Sequence, residues 1–512
     1  MGDIAEISDT VKQRVDAERA LYEVKQPAGE AVSDGMAPEE VFRYYERNED
    51  GDAELYIRLH RNRLCYDNAS NEWHVFDGHH WRVDHLNEAL QGIQAAVDVY
   101  AHEAKQQAWK RLQAEQTGRK KAASLHKDKE TKLLNRIRFL QALTRKENVL
   151  VLARTGKDSL GITGMEWDRN PFILGCLNGV IDLQTGDFRS GRPDDYIKTI
   201  APVNWQGLNT PSPAWDAFLW SIFEDEEIIG YIRRLMGYCA TGSTRVHFLP
   251  ILWGKGRNGK GTLLETIKTV LGDQVMKGRA EIFLDHKYGP GRGSPDADTL
   301  SLRGKRLVFA SETSEGRRLD TARLKEMTGG DTLNARAPHA RRPVEFTPTH
   351  KLLLMTNDRP SAPASDYALW ARIHLIPFRF SFVEDPQEDN ERLVDLELPE
   401  KLKQEAPGIL AWIVRGCLEW QRDGLNPPQT VRQATEEYRA NEDILSPFIE
   451  ECCTLGPHES IRAGVLYTSF KTWCEQNGAT PLNGTRFGKE MLKKFDSTKS
   501  RGRIYIGISL NE

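Results

Sequence analysis

FLPILWGKGRNGKGTLLETIKTVL, residues 248–271, is the stretch from which the rest of the chain is read. Its first six residues, Phe248 to Trp253, form an apolar run of the length of a buried strand. Nine residues of glycine-rich turn follow: Gly254, Lys255, Gly256, Arg257, Asn258, Gly259, Lys260, Gly261 and Thr262. Leu263, Leu264, Ile267, Val270 and Leu271 then recur at helical spacing. Strand, glycine turn and helix in this order are the context of a phosphate-binding loop. Glycines allow successive N–H groups to turn inward around phosphate oxygens. The helix that follows points its positive end at the same anion, and Lys260 supplies a point charge for the outer phosphates. The usual pattern carries Ser or Thr directly after the lysine, to hold magnesium. Here Gly261 stands in that place, and the hydroxyl of Thr262 comes one residue later.

Downstream, Arg306 to Glu312 reads as a buried strand ending in a carboxylate. Beside a phosphate-loop strand, such an acid can hold the magnesium shell or orient an attacking water. Leu324 to Asp331 reads as a helix and a glycine break, followed by a hairpin with Arg336, His339, Arg341 and Arg342 at its tip. A tip this basic suits a polyphosphate backbone; a solvated, charge-protected hairpin edge is the other reading. Lys351 to Asn357 is a second buried strand, and its terminal amide can hydrogen-bond the γ-phosphate or the lytic water. Asp366 to Ile373 reads as a helix bearing Arg372, either an arginine finger for a neighbouring subunit's nucleotide or a surface salt bridge.

Upstream, residues 1–36 read as a loose polar leader. The segment LCYDNASNEWHVFDGHHWRVD predicts a hairpin or small meander, with His79 and His80 on a turn. Leu86 to Val149 is helical and basic, carrying Lys105, Lys110, Arg111, Arg119, Lys120, Lys121, Lys127, Lys129 and Lys132. A nucleic-acid face and a solvated helical face are both open there. Pro171 to Asn204 predicts a compact β segment, and Trp215 to Gly237 a helix. On the far side, Leu393 to Arg422 is expected to be helical and to pack on residues including Leu396, Leu402 and Trp412. A Pro-rich break precedes a further helix, Val431 to Glu451. The tail predicts helix, helix and β-hairpin, the order of a winged helix. Arg486, Lys489 and Lys493 would face a DNA groove, with Lys499, Arg501 and Arg503 on the wing.

Composition bounds these readings. A net charge of −4 over 512 residues gives no global polyanion signal, so any DNA contact must be local. No apolar run reaches the ~18–20 residues of a membrane span, and the acidic, polar N-terminus is not a secretory signal. Seven scattered cysteines suggest reduced thiols and a cytoplasmic setting. Cys452, Cys453, His458 and Cys474 lie close in sequence but contain no CxxC pair, so they are expected to be structural.

Taken in order, GKGRNGKGT, LRGKRLVFASE, LKEMTGGDTLNAR, FTPTHKLLLMTNDRP and ALWARIHLIPF resemble the motifs of superfamily 3 helicases of the phage and plasmid primase–helicase family, a group that includes the poxvirus primase–helicase. LNGVIDLQTGDF is similar to that family's helicase-associated domain. The resemblance implies an α/β chain: an AAA+-like P-loop ATPase core, an α+β N-terminal helicase-associated domain and a C-terminal winged-helix domain. The implied boundaries are a leader at 1–36, the associated domain at 37–205, the ATPase at 206–385, a helical connector at 386–445 and the winged helix at 446–512. It implies ATP and Mg2+ as cofactors, a homo-oligomeric ring, a hexamer in the family, and single-stranded and forked DNA as partners, with a separate primase or polymerase. Lys260 would hold the β/γ-phosphates, Glu312 and Thr262 the metal, Asn357 would be the sensor and Arg372 the finger in trans. Arg336, His339, Arg341 and Arg342 would grip DNA. Only about 36 residues precede the associated domain, so no primase activity is expected. The alternative is an ATP-binding origin-recognition or helicase-loading protein that does not unwind; an AAA+ regulator acting on proteins is a third class, disfavoured by the basic tip.

Overall fold

A computed structural model of the chain describes residues 36–285, 297–312, 317–336, 343–479, 481–499 and 502–511. They form two compact units, one reaching Asp77 and resuming over Trp81–Trp167, the other comprising Gly78–His80 and Asp168 onward.

The first unit is a helical assembly with a small sheet. Helices α1 (Pro38–Glu46) and α2 (Asn48–His60) precede strands β1 (Leu64–Asp67), β2 (Glu72–Phe76) and β3 (Trp81–Val83). These strands form the expected antiparallel meander, and β4 (Gly161–Ile162) adds parallel to β1. Between β3 and β4, α3 (Ile93–Gln116), α4 (Lys120–Gln141) and α5 (Leu143–Ala153) account for the helical prediction. Tyr56, Tyr100, Leu133, Leu140 and Val149 are fully buried. Asp52 is fully buried among them, satisfied by Arg136 at 2.9 Å, Arg145 at 2.6 Å and the Tyr100 hydroxyl at 2.9 Å. A buried carboxylate persists only with such partners.

The second unit opens with a four-stranded sheet of β5 (Ile173–Cys176), β6 (Gly179–Asp182), β7 (Phe188–Arg189) and β8 (Ile200–Ala201), in the order β7-β6-β5-β8. Helices α6 (Pro213–Phe223) and α7 (Glu226–Cys239) lead into the central sheet. That sheet contains β9 (Leu249–Trp253), β10 (Val275–Lys277), β11 (Leu307–Glu312), β14 (Lys351–Thr356) and β15 (Ile373–Pro377). It is wholly parallel, in the order β10-β11-β14-β9-β15. Helix α8 (Lys260–Leu271) follows β9, and α9 (Thr321–Thr328) follows β11. A parallel sheet is covered on both faces, so its strands are continuous apolar runs rather than alternating ones; all six residues of β14 are buried. Between β11 and β14, β12 (Leu333–Ala335) and β13 (Val344–Phe346) pair antiparallel, giving the expected hairpin. The short helix Tyr367–Trp370 precedes β15, and β16 (Ser381–Val383) and β17 (Glu391–Leu393) follow it.

Three expectations are corrected. The acid-terminated strand β11 does not lie beside the phosphate-loop strand: β14 is inserted between them. The helical stretch expected from Leu393 begins at Leu398, as Leu398–Gln404 and then Ala406–Asp423, because β17 takes up Glu391–Leu393; Leu396 is 82% exposed rather than packed. In the tail, a strand, β18 (Cys453–Arg462), lies between the helices Leu445–Cys452 and Ala463–Gln476. It pairs with β20 (Arg503–Leu510), which pairs in turn with β19 (Ser497–Lys499). Its exposed polar residues, with Gly456 and Pro457, carry little strand signal.

Helix α7 and the helix Ala406–Asp423 pack with their backbones touching. A Cβ on Gly237 would lie 2.0 Å from the Cys417 nitrogen, and one on Gly416 would lie 2.0 Å from the Arg233 carbonyl oxygen. Alanine at either position must push the helices apart. Gly237→Ala and Gly416→Ala should each cost about 1–3 kcal/mol, the usual penalty of overpacking, read as an earlier denaturant midpoint. Unchanged midpoints in both would show that this contact does not hold the helices.

Candidate functional site

The site lies at the carboxyl edge of the parallel sheet. The register pairs Trp253, the last residue of β9, with Thr356, and Thr356 with Glu312. Three strands therefore stop on one line, at roughly 4.8 Å per strand.

The loop after β9 is built by close approaches. A Cβ on Gly254 would sit 2.4 Å from the Phe378 carbonyl oxygen and 2.5 Å from Asn258 Nδ2. Gly259 has φ +82°, and a Cβ there would meet Ile222 at 2.6 Å. Arg257 adopts φ 58° although it is not glycine, and its carbonyl accepts a hydrogen bond from the Phe382 N–H at 2.7 Å, which pins the loop to β16. Helix α8 starts at Lys260, immediately after this turn.

Lys260 is buried, and its ammonium folds back onto the loop. It donates to the Gly254 carbonyl at 2.5 Å and to Asn357 Oδ1 at 3.3 Å. The structure thus joins two residues that lie 97 positions apart in sequence. Burial, without a carboxylate partner, pulls the Lys260 ammonium down to about 8. Asn258 is buried too, and its Nδ2 has no hydrogen-bond partner among the described residues. Around Gly261 there is open space, with no atom within 4 Å of a built Cβ. The loop therefore presents a desolvated cation, an unspent amide donor and an unobstructed helix start, which together suit a phosphate chain.

Thr262, in the first turn of the helix, lines a cleft of about 460 Å³ with Phe218, Arg257, Gly259, Phe382, Glu384, Asp395 and Leu398. Sequence reasoning missed this cleft, because its walls come from α6 and from segments more than a hundred residues downstream. Arg359 was also missed: its guanidinium lies 5.0 Å over the Trp253 ring and 5.6 Å over that of Tyr438. Its position two residues after Asn357 was the available signal.

Glu312 ends β11 at the same edge. Arg372 does not join this group. It precedes β15, whose first residue pairs with Leu249 at the start of β9, the opposite edge of the sheet. Its Nη1 donates to the Ala368 carbonyl at 2.6 Å, and its Nε is buried without a partner among the described residues.

Of the basic hairpin, Arg336 adjoins β12, while His339, Arg341 and Arg342 lie outside the described residues. In the tail helix Gly484–Lys494, Lys493 is drawn to its own unit: it bonds Ser365 Oγ at 2.8 Å and Glu490 at 2.9 Å. Arg486 and Lys489 lie on the same helix, and Asn483 caps it through the Arg486 N–H. Among the described residues no three His, Cys, Asp or Glu side chains are grouped to hold a metal, and the cysteines there are free thiols. No described helix is long and apolar enough to cross a membrane.

Three family models match parts of the chain. Residues 53–224 match the "D5 N terminal like" family, residues 252–372 a family of unknown function, and residues 440–506 the "Poxvirus D5 protein-like" family. These matches make the two ends of the chain similar to D5-like proteins. Among curated proteins it is similar to "Putative helicase L207/L206" of Acanthamoeba polyphaga mimivirus, 28% identical over 60% of this chain and 34% of that one. It is also similar to "Putative helicase 121R" of Invertebrate iridescent virus 3, 28% identical over 65% and 38%, and to "Putative primase C962R" of African swine fever virus, 24% identical over 60% and 34%. The chain thus spans little more than a third of the length of these relatives. Of solved structures, the apo C-terminal region of NrS-1 aligns over 61% of this chain and 77% of that one, at 15% identity and a TM-score of 0.35.

The state of Lys260 yields a test. The ammonium binds phosphate and the neutral amine does not, so a bound triphosphate must raise the lysine's pKa above its value in the empty loop. Above pH 8, binding should take up a proton, and affinity should fall by up to tenfold per pH unit. Calorimetric titration with ATP at pH 9, in two buffers of different ionisation enthalpy, should show uptake approaching one proton per site. Equal heats in both buffers would mean that Lys260 is already charged when the loop is empty.

Proposed function

We propose that this chain is an ATP-dependent DNA helicase acting in replication, built on an AAA+-like P-loop core with a winged-helix tail. The observation that carries the proposal is the 3.3 Å contact of Lys260 with Asn357 at the carboxyl edge of the parallel sheet. It joins the lysine of the glycine loop to the polar end of the inserted strand β14, which is where a sensor belongs. The viral relatives named as helicases support the same reading.

When ATP enters, Lys260 leaves the loop carbonyls for the β- and γ-phosphates, and the Asn258 amide gains an acceptor. The phosphates lie along the N–H groups of Gly254 to Gly261, at the positive end of α8. The base takes the cleft between Phe218, Phe382 and Leu398. Asn357, released by the lysine, is free to orient the γ-phosphate or the attacking water. Thr262 and Glu312 are the residues that would hold magnesium, whose charge would offset that of the phosphates. Arg372 cannot serve its own nucleotide. The five residues of β15 separate the two edges by about 16 Å, at roughly 3.3 Å per residue, and we assign the finger to a neighbouring protomer in a ring. The β12–β13 hairpin would carry its basic tip to single-stranded DNA. The order helix, strand, helix, helix and two strands over Leu445–Leu510 fits a winged helix.

Gly261 favours one competing reading, in which the chain binds ATP to assemble at an origin or load another helicase without unwinding. A strand-displacement assay under saturating ATP separates the two. Lys260→Ala should reduce DNA-stimulated ATP hydrolysis by at least a hundredfold. Arg372→Ala should be inactive alone, yet its intact nucleotide site should regain turnover when mixed with Lys260→Ala protomers that supply the finger. Full activity of Arg372→Ala alone would remove the finger from the mechanism, and ATP hydrolysis indifferent to DNA would count against the helicase.

A further inference from the structure

The antiparallel pair α3 and α4 concentrates positive charge in a chain that is negative overall. Residues 105–132 contain nine cations and three carboxylates, a net charge of +6 against −4 for the whole protein. The three carboxylates are spent within the hairpin. Arg111 holds Glu115 at 3.1 Å and Glu130 at 2.9 Å, and Lys132 holds Asp128 at 2.8 Å. Lys129 lies 4.9 Å over the Phe42 ring. That leaves Lys105, Lys110, Arg119, Lys120, Lys121 and Lys127 without an ion-pair partner among the described residues. All but the half-buried Lys110 are exposed.

Large apolar side chains stand exposed among them: Trp109 at 60%, Leu112 at 49% and Leu125 at 54%. At 100° per residue, Lys105, Trp109 and Leu112 fall on one outer face of α3. An indole this open is not core, because the hairpin's own seam is filled elsewhere, by Ala104, Gln107, Ala114, Ala123 and Leu133. Unpaired cations interleaved with an exposed aromatic ring suit a ligand that is both polyanionic and rich in flat faces. A second copy of the same surface is a poor occupant, since two +6 faces repel.

We propose that the α3–α4 hairpin is a second interface for single-stranded nucleic acid, separate from the basic β12–β13 tip. The phosphates lie along the six free cations, and one base stacks on Trp109. From Lys105 to the turn at Thr117 the hairpin runs about 18 Å, at roughly 1.5 Å per residue, the length of about five nucleotides at 3.4 Å each. The inference rests on the proposed nucleic-acid partner but not on ATP cleavage, and its test needs no nucleotide.

The experiment measures binding of a short labelled oligo(dT) to the whole 512-residue chain across salt concentrations, without ATP. Neutralising three cations, as Lys120→Gln with Lys121→Gln and Lys127→Gln, should make the slope of log K against log salt shallower by about 2, at roughly 0.7 per phosphate contact. The charge-preserving set, Lys120→Arg with Lys121→Arg and Lys127→Arg, should retain the slope. Trp109→Ala should leave the slope alone and weaken binding by about tenfold or more. None of these exposed changes should alter ATP hydrolysis measured without DNA, so loss of ATPase and loss of this interface are distinguishable. Wild-type affinity and slope in the neutralised variant would overturn the proposal. So would a result in which that variant loses binding to polyglutamate but keeps oligo(dT), which would assign the face to an acidic protein.

Discussion

The central parallel sheet has two edges with opposite electrostatic tasks, and the rest of the second unit depends on keeping them apart. Parallel strands send every carboxyl end to one side. There the main chain turns away through glycines, and N–H groups and a helix start are left facing outward. At the other side the strands begin, and the carbonyls that end helix α7 need donors. Arg306 and Lys351 supply them from inside the protein. Arg306 donates to the Ala240 carbonyl at 2.6 Å and to the Ile173 carbonyl at 2.5 Å, while Lys351 donates to the carbonyls of Thr241 and, at 3.2 Å, Thr349. Burial pulls Arg306 down to about 10 and Lys351 to about 7. The cations stay because carbonyl dipoles at a helix C-terminus compensate them.

Lys260 meets the same problem at the open edge with as many oxygen acceptors as Lys351: the Gly254 and Lys255 carbonyls and Asn357 Oδ1, against the Thr241, Ser243 and Thr349 carbonyls. The two edges differ in what surrounds these cations: Lys351 is held against the end of a helix, whereas Lys260 sits on a glycine loop with open space beside Gly261.

Much of this was legible in the chain. The strand, glycine turn and helix at 248–271 follow from an apolar run and glycine spacing, and the buried strands ending at Glu312 and Asn357 from their lengths and apolar composition. The β12–β13 hairpin and the helices of the tail were also readable. Strand β18 was not, because its exposed polar residues gain their pairing from β20, some fifty residues later. The neighbour of β9 was misassigned for a related reason. Strand order in a parallel sheet is set by which crossovers pack, and no local pattern records it.

The amino-acid sequence by itself determined where the glycine loop lies, which residues end the strands around it and how the basic charge is distributed along the chain. These are local properties, set by glycine placement, apolar periodicity and side-chain chemistry. Only the tertiary structure decided that Lys260 meets Asn357, that Arg372 stands at the far edge, that Phe218 and Leu398 share a cleft, and which of the hairpin lysines remain unpaired. Each of these is a contact between segments whose separation along the chain carries no information about their distance in space, so it exists only once the sheet and its covering helices have packed.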